Sequence, residues 1–150
     1  MESNGTYALV IHSQSRQKLP VGRFGPCDFQ PGYYIYSGSA LGGLKGRLKR
    51  HFRADKRLHW HIDYLLQYTK IVEVWYSMSE ERLECTWNGI VAALHGAVPH
   101  IPGFGSSDCR CYTHLTYFSS MPSFDEFSRE LRARGLPDSC RLRPWTALCN

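Results

Sequence analysis

Two segments rich in β-branched and aromatic residues constrain most strongly how this 150-residue chain can fold. The first is Gly5–Ser13 (GTYALVIHS) and the second covers residues 33–39 (YYIYSGS). Both are typical of β-strands, and each carries a glycine at one end. The segment between them, residues 14–32, is rich in turn residues, so we expect loops there with a short hairpin around residues 19–24. The amino-terminal part of the chain is therefore expected to build a sheet.

Helical periodicity follows the second strand, over residues 44–53. The apolar residues of this segment recur at i, i+4 and i+8, which predicts a helix with one buried stripe. Its basic residues fall on two other faces. One face carries Lys45, Lys49 and Arg53, and Arg50 lies on the third side. Arg47 and His51 fall beside the apolar stripe, at the edge of the core.

The rest of the chain continues the mixture of helices and strands. We expect a short helix at residues 60–68, strands at 71–78 and 113–119, and a loop at 99–111. A helix capped by Ser79 is expected to begin near Glu80, and a last helix has the capping pair Ser123 and Glu126 and ends near Gly135. The pattern predicts one α+β domain over residues 1–150, with a small, mainly antiparallel sheet flanked by helices.

Composition narrows the classes of partner. The net charge of +5 and a pI near 9.0 make nucleic acid the first partner to consider. The first four residues lack the features of a signal peptide and no apolar run of about 18 residues occurs, so we expect a cytoplasmic protein without a membrane span. The six cysteines are then expected to be reduced thiols or metal ligands. Neither a dinucleotide fingerprint nor Cys-x-x-Cys occurs, which argues against an oxidoreductase.

The order of these elements and motifs resembles the GIY-YIG nuclease superfamily over about residues 5–97. Gly5-Thr6-Tyr7 stands where the family has Gly-Ile-Tyr, and Tyr36-Ser37-Gly38 stands where it has Tyr-Ile-Gly. Residues 46–52 (GRLKRHF) are similar to the family's helix with its catalytic arginine, and Glu84 matches the metal-binding glutamate. The chain departs from the family in an insertion between the two strand motifs and in Ser37 at the middle of the second.

This resemblance implies a GIY-YIG-type sheet and a metal-dependent nuclease. Its catalytic residues would be Tyr7, Tyr36, Arg47, His51 and Glu84, with one Mg²⁺ or Mn²⁺ ion on Glu84. A closer resemblance is to a subfamily described as a domain of unknown function, which shares HWHIDYL (residues 59–65) and GFGSSDCRC (residues 103–111). Some of its members are fused to an endonuclease III-type glycosylase, which implies DNA as substrate and a repair protein as partner. RNA and the oligomeric state stay open.

The chemistry of phosphodiester hydrolysis agrees with these residue types. Arg47 offers a planar, always-charged fork for phosphate oxygens, and one carboxylate such as Glu84 is enough for Mg²⁺, which keeps several waters. Tyr7 would position or deprotonate the attacking water, with Tyr36 and His51 as further candidates for proton transfer. Two alternatives remain, a nucleic-acid-binding module without turnover and a zinc-stabilised interaction domain.

Seven residues are candidates for contacting nucleic acid. Arg50 and the basic face of the first helix would meet phosphates, and Gly38 would let the backbone approach the substrate. His59 and His61 flank Trp60, but a spacing of two does not put both imidazoles on one helix face, which disfavours a two-histidine metal site. One of them would assist the active site; alternatively Trp60 packs in a corner where Asp63 orients an imidazole. These residues are Gly38, Lys45, Lys49, Arg50, Arg53, His59 and His61.

A second metal site is conceivable near residue 110. Cys109, Cys111 and His114 supply three zinc ligands, and the fourth would be Cys85, Cys140 or Cys149. Because common zinc fingers begin with Cys-x2-Cys, the spacing favours a packed turn with buried thiols over structural zinc.

Overall fold

The two predicted strand segments pair with each other at the centre of one sheet. The computed structural model describes residues 3–143. Strand β1 (Gly5–Ser13) runs antiparallel to β4 (Gly32–Ala40) over its full length, with Tyr7 opposite Gly38 and Leu9 opposite Tyr36. The other strands are β2 (Gln17–Pro20), β3 (Pro26–Phe29), β5 (Lys70–Met78), β6 (Val98–Pro99), β7 (Leu115–Phe118) and β8 (Cys140–Leu142). Within the described residues the helices are α1 (Leu44–Phe52), α2 (His61–Leu66), α3 (Glu84–Ala92) and α4 (Phe124–Ala133).

The main sheet has six strands in the order β6-β7-β4-β1-β5-β8, and every neighbouring pair is antiparallel. The α+β prediction with a mainly antiparallel sheet is confirmed. The predicted hairpin in the insertion is a separate two-stranded sheet of β2 and β3, joined through a 3-10 turn at Gly22–Phe24.

Both faces of the main sheet are covered. On one face, Leu9, Ile11 and Tyr36 pack against α1, α2 and the β2–β3 hairpin. On the other face, Val10 and Trp75 pack against α3 and α4. Because β1 is buried on both sides, it is nearly continuously apolar instead of alternating.

Helix α1 forms as its apolar stripe predicts. Leu44 and Leu48 are buried and Phe52 packs against the same core, while Lys45 and Lys49 are exposed. His51 is only 2% exposed, so its predicted position at the edge of the core is confirmed. The helix therefore carries one imidazole into the protein while its lysines face solvent.

The predicted start of α3 was wrong. The helix begins at Glu84, not near Glu80, and Ser79 does not cap it, since the Ser79 Oγ accepts a hydrogen bond from Glu81 N within the preceding turn. Glu84 therefore lies in the first turn, where the helix dipole favours a carboxylate. The predicted cap of α4 is confirmed, because Ser123 Oγ accepts from Glu126 N at 3.1 Å.

Two edge strands were not predicted. β6 and β8 are two and three residues long, too short to give a sequence pattern of their own. None of the helices in residues 3–143 is long and apolar enough to cross a membrane.

Candidate active-site pocket

A polar pocket of about 140 Å³ lies between β4, α1, the start of α3 and the loop that precedes β7. Tyr7, Tyr36, Arg47 and Glu84 all line it, so four of the five residues predicted as catalytic share one cavity. They come from β1, β4, α1 and α3, far apart in the sequence. Further lining residues include Ser37, Gly38, Ser39, Trp60, Arg82 and Asp108.

The fifth predicted catalytic residue, His51, lies behind Tyr7. The Tyr7 hydroxyl and His51 Nε2 are 2.7 Å apart in a buried hydrogen bond. Burial raises the pKa of Tyr7 to about 12, although the neighbouring Arg47 guanidinium acts against this. Burial and the charge of Lys56 lower the pKa of His51 to about 3. At neutral pH both groups are therefore uncharged.

Gly38 makes room for the Tyr7 ring. A Cβ at position 38 would lie 2.7 Å from the Tyr7 hydroxyl oxygen and 2.8 Å from Tyr7 Cζ, closer than van der Waals contact allows. In this structure Gly38 thus permits the close approach of the Tyr7 side chain from the adjacent strand β1. Its predicted contact with a nucleic acid stays a prediction.

Tyr36 forms another part of the pocket wall. It is 8% exposed, and burial together with the nearby Tyr7 raises its pKa well above the ordinary tyrosine value. Its ring contacts Gly105, where a Cβ would come within 2.7 Å of it. Gly105 has φ of +67°, a conformation that also favours glycine, so the loop before β7 is shaped to close over Tyr36.

Two arginines of α1 both lie over the ring of Trp60. The guanidinium carbons of Arg47 and Arg50 lie 4.6 and 4.3 Å from the centre of the indole ring. Arg47 also donates to the backbone oxygen of Ser39 at 3.0 Å. Cation–π stacking restricts the motion of a long side chain, so Trp60 fixes the direction in which Arg47 faces the pocket.

Arg50 forms a bidentate ion pair with Asp63. Its two terminal nitrogens donate to the two carboxylate oxygens at 3.0 and 2.9 Å, and Asp63 is fully buried. Asp63 also accepts from the backbone N–H groups of His59 and Trp60, both at 2.9 Å. These hydrogen bonds outweigh the effect of burial and lower the pKa of Asp63. The expectation that Asp63 orients an imidazole was wrong, since its partners are a guanidinium and two amides.

Neither of the two histidines around Trp60 lines the pocket. His59 is exposed and its ring packs on the edge of Trp60. His61 Nδ1 accepts a hydrogen bond from Gly105 N at 2.8 Å and its ring contacts Phe24 and Phe104. His61 thus stabilises the loop before β7 through contacts with Phe104 and Gly105.

Glu84 is the carboxylate at the mouth of the pocket. Its side chain is 15% exposed, accepts a short hydrogen bond from Ser39 Oγ and pairs with Arg82 at 3.0 Å. Burial opposes ionisation, but the Ser39 hydrogen bond and the charge of Arg82 outweigh it and lower the pKa of Glu84. Glu84 is therefore ionised at neutral pH. The Arg82 side chain is 61% exposed.

The other predicted contact residues lie outside the pocket lining. Lys45, Lys49 and Arg53 are exposed on α1 and at its carboxyl-terminal cap. Lys45 and Lys49 lie nearly opposite to Arg47 around the helix, because residues two apart differ in direction by about 200°. Their contact with phosphates stays a prediction.

Three cysteines and a histidine converge beside the pocket. The ligand atoms of Cys85, Cys109, Cys111 and His114 all lie within 4.8 Å of one another, so the group can hold a metal ion. Burial and the two neighbouring thiols raise the pKa of Cys85 to about 12 in the absence of an ion. Cys140 lies on β8, at the opposite edge of the sheet, and Cys149 is outside the described residues. The sequence analysis favoured a packed turn with buried thiols over a metal site. It could not show that α3 brings Cys85 to the loop as a fourth candidate ligand.

Sequence reasoning missed three residues that shape the pocket. Ser39 binds Glu84, Arg82 pairs with it, and Trp60 orients Arg47. Strand alternation offered one signal for Ser39. Because Ser39 is three residues after Tyr36, it faces the opposite side of the sheet, the side on which α3 packs. No local pattern pointed to Arg82, because a helix beginning near Glu80 would include both Arg82 and Glu84, and side chains two residues apart on a helix do not face each other.

Comparison with known proteins gives one match. No curated protein and no solved structure matches the chain. One family model matches residues 6–135, which includes every residue that lines the pocket. The chain therefore belongs to the family described as the domain of unknown function DUF123.

Proposed function

We propose that this protein is a metal-dependent endonuclease that hydrolyses phosphodiester bonds of DNA. The observation that supports this most strongly is the shared pocket. A hydroxyl, a fixed guanidinium and an ionised carboxylate face one cavity, and they are Tyr7, Arg47 and Glu84. This combination meets the requirements of phosphoryl hydrolysis, which are a held water, stabilised phosphate charge and a metal ligand.

Arg47 would hold the scissile phosphate. Its stacking on Trp60 and its hydrogen bond to the backbone of Ser39 leave part of its fork of donors facing the cavity. Because the guanidinium is already oriented, little conformational entropy is lost when it binds an anion. Exposed lysines on the other side of the same helix would add to the positive charge that attracts the DNA backbone.

Tyr7 would position the attacking water and would not act as the base. A pKa of about 12 keeps its hydroxyl protonated at neutral pH. Passing its proton to His51 would be strongly unfavourable, because burial raises the pKa of Tyr7 and lowers the pKa of His51. The Tyr7–His51 hydrogen bond therefore fixes the direction of the Tyr7 hydroxyl.

Glu84 fits a hard divalent cation. Mg²⁺ and Mn²⁺ prefer oxygen ligands, and Mg²⁺ commonly takes one or two carboxylates while keeping several waters. Glu84 is ionised, faces the cavity and lies beside the Ser39 hydroxyl. A cation bound there would stabilise charge on the phosphate and lower the pKa of a water molecule.

The test is single-turnover cleavage of a panel of nicked, flapped, branched and intact DNA with Mg²⁺, with Mn²⁺ and with EDTA. Glu84→Gln should reduce metal-dependent cleavage by orders of magnitude while DNA binding survives. The matched control is Glu81→Gln, an exposed carboxylate just before α3. Cleavage by Glu84→Gln at the wild-type rate would refute the assignment.

Two further variants separate the proposed roles. Arg47→Ala should lose about 3–4 kcal/mol of transition-state stabilisation, the scale for removing one preorganised donor, and Arg47→Lys should restore little of it. Arg129→Ala, exposed on α4, is the matched control. DNA binding without cleavage on any substrate would instead support the binding-module alternative.

A further inference from the structure

The cluster beside the pocket joins two elements of the fold. Cys85 is the second residue of α3, whereas Cys109, Cys111 and His114 belong to the loop that leads into β7. Their four ligand atoms lie within 4.8 Å of one another. His114 is 2% exposed, and Cys109 and Cys111 are half-buried.

Two of the six separations among the ligand atoms are close to those around a tetrahedral ion, and all six are within 4.8 Å. With Zn–S near 2.3 Å and Zn–N near 2.0 Å, a tetrahedral zinc holds its ligand atoms roughly 3.5–3.8 Å apart. His114 Nε2 lies 3.3 Å from Cys109 Sγ and 3.8 Å from Cys85 Sγ. Small side-chain adjustments would centre an ion among the four atoms.

The histidine is held in the tautomer that a metal requires. His114 Nδ1 lies 3.0 Å from the backbone oxygen of Ser37. A carbonyl oxygen only accepts, so Nδ1 must carry the proton, and in the neutral ring Nε2 then presents its lone pair to the thiols. Metal-binding histidines are commonly fixed in this way by a hydrogen bond to the second ring nitrogen.

Backbone and amide hydrogen bonds hold the ligands together independently of an ion. The backbone N of His114 donates to Phe104 O at 2.8 Å, and Gly103 N donates to Tyr112 O at 2.7 Å. Asn88 Nδ2, one turn after Cys85 on α3, donates to Thr113 O at 2.8 Å. The site is thus largely formed by the fold.

We propose that Cys85, Cys109, Cys111 and His114 bind one structural Zn²⁺ ion, which fastens the loop before β7 to α3. Three thiolates and an imidazole are soft or borderline ligands that suit zinc and not Mg²⁺. Four protein ligands leave no open position for substrate, which is typical of a structural ion.

The ion would stabilise one wall of the pocket. Cys109 and His114 line the cavity, and Cys85 follows Glu84 directly. Zinc would therefore fix the loop and the first turn of α3 relative to each other. This proposal does not depend on nuclease activity, because a binding module with the same pocket would need the same wall.

Elemental analysis of protein purified without a metal-affinity tag, in reducing buffer, tests the site. Wild type should hold one zinc per chain. Cys109→Ser and Cys85→Ser should lower zinc affinity by at least the roughly tenfold to hundredfold that loss of an outer-shell partner causes. Cys140→Ser, an exposed cysteine at the far edge of the sheet, is the matched control and should keep its zinc. Replacing zinc by Co²⁺ should give strong thiolate-to-cobalt absorption that weakens in Cys109→Ser and not in Cys140→Ser.

A second measurement covers the case in which the cysteine variants fail to fold. In wild-type protein, zinc should protect Cys85, Cys109 and Cys111 from alkylation, with the modified residues mapped by mass spectrometry, and a chelator should remove this protection. Cys140 should react equally in both states. Zinc at background in reduced wild-type protein, equal alkylation with and without chelator, or a disulfide among the three cysteines in place of the ion would each overturn the proposal.

Discussion

Replacing Gly38 by alanine tests whether this glycine exists to accommodate Tyr7. The added methyl group would lie 2.7 and 2.8 Å from the Tyr7 hydroxyl oxygen and Cζ. Carbon contacts are favourable near 3.5–4.0 Å, so one partner must move by most of an ångström. Tyr7 is 1% exposed and hydrogen-bonded to His51 at 2.7 Å, which leaves it little room to move.

Two opposing effects set the size of the change. Overpacking a buried site costs about 1–3 kcal/mol, whereas replacing glycine by alanine inside a strand gains about 0.5–1 kcal/mol. We therefore expect Gly38→Ala to lower the free energy of unfolding by about 1 kcal/mol and by no more than about 2.5 kcal/mol, measured by equilibrium urea denaturation. A Leu at position 7 lacks the three Tyr7 atoms that the new methyl would meet. In a Tyr7→Leu background the same substitution should thus be neutral or stabilising.

The reversal of sign between the two backgrounds is the decisive result. Gly89→Ala is the matched control, because a Cβ at position 89 of α3 meets no atom within 4 Å and should stabilise by up to about 1 kcal/mol. If Gly38→Ala costs the same in the wild-type and Tyr7→Leu backgrounds, the cause is not the contact with Tyr7, and the account of this motif is refuted.

Three other predictions follow from buried and exposed charges. The pKa of His51 is lowered to about 3 in the folded protein, so on acidification the unfolded state binds the imidazole proton first. The contribution of His51 to the free energy of unfolding is therefore complete above about pH 6.5 and falls toward pH 3 by up to about 1.4 kcal/mol per pH unit. Urea denaturation of His51→Gln over the same pH series should lack this slope. Asp63→Asn should cost about 1.5–3 kcal/mol at pH 7 in the same assay, the range for hydrogen bonds to a charged group. Lys45→Ala with Lys49→Ala should reduce the dependence of DNA affinity on salt by about one to two phosphate contacts, whereas Lys18→Ala on the β2–β3 hairpin should not. An unchanged salt slope would exclude Lys45 and Lys49 from the interface.

The parts of the fold that local patterns determine were predictable. β1 and α1 have the predicted bounds to within one residue, since each has a strong run of apolar residues at the period of its element. β6 and β8 were not predictable, because strands of two or three residues are specified only by the partner that they pair with. The start of α3 was misplaced for a related reason, because Ser79 had the right residue type for a cap but its side chain closes the preceding turn.

The candidate site shows the same division. Tyr7, Arg47 and Glu84 were predictable from motif order, and the structure brings them to one pocket. The contacts that orient Arg47 and hydrogen-bond Glu84 were not predictable, because they join elements that are distant in the sequence. The contacts of Trp60 with two arginines and the hydrogen bond from Ser39 to Glu84 are of this kind.

The adjacent residues Glu84 and Cys85 have consequences for any experiment with chelators. Glu84 faces Ser39 and the pocket, whereas Cys85 faces His114, because successive residues of a helix differ in direction by about 100°. A carboxylate and a thiol thus lie side by side, and under the two proposals they would select different metals. EDTA would remove both ions, so loss of cleavage in EDTA alone cannot be assigned to Glu84. Restoring activity with Mg²⁺ alone, in protein whose zinc content has been measured, separates the two. Recovery without zinc would mean that the loop holds its position through hydrogen bonds such as that of Asn88, whereas recovery only with zinc would make the wall of the pocket necessary for its chemistry.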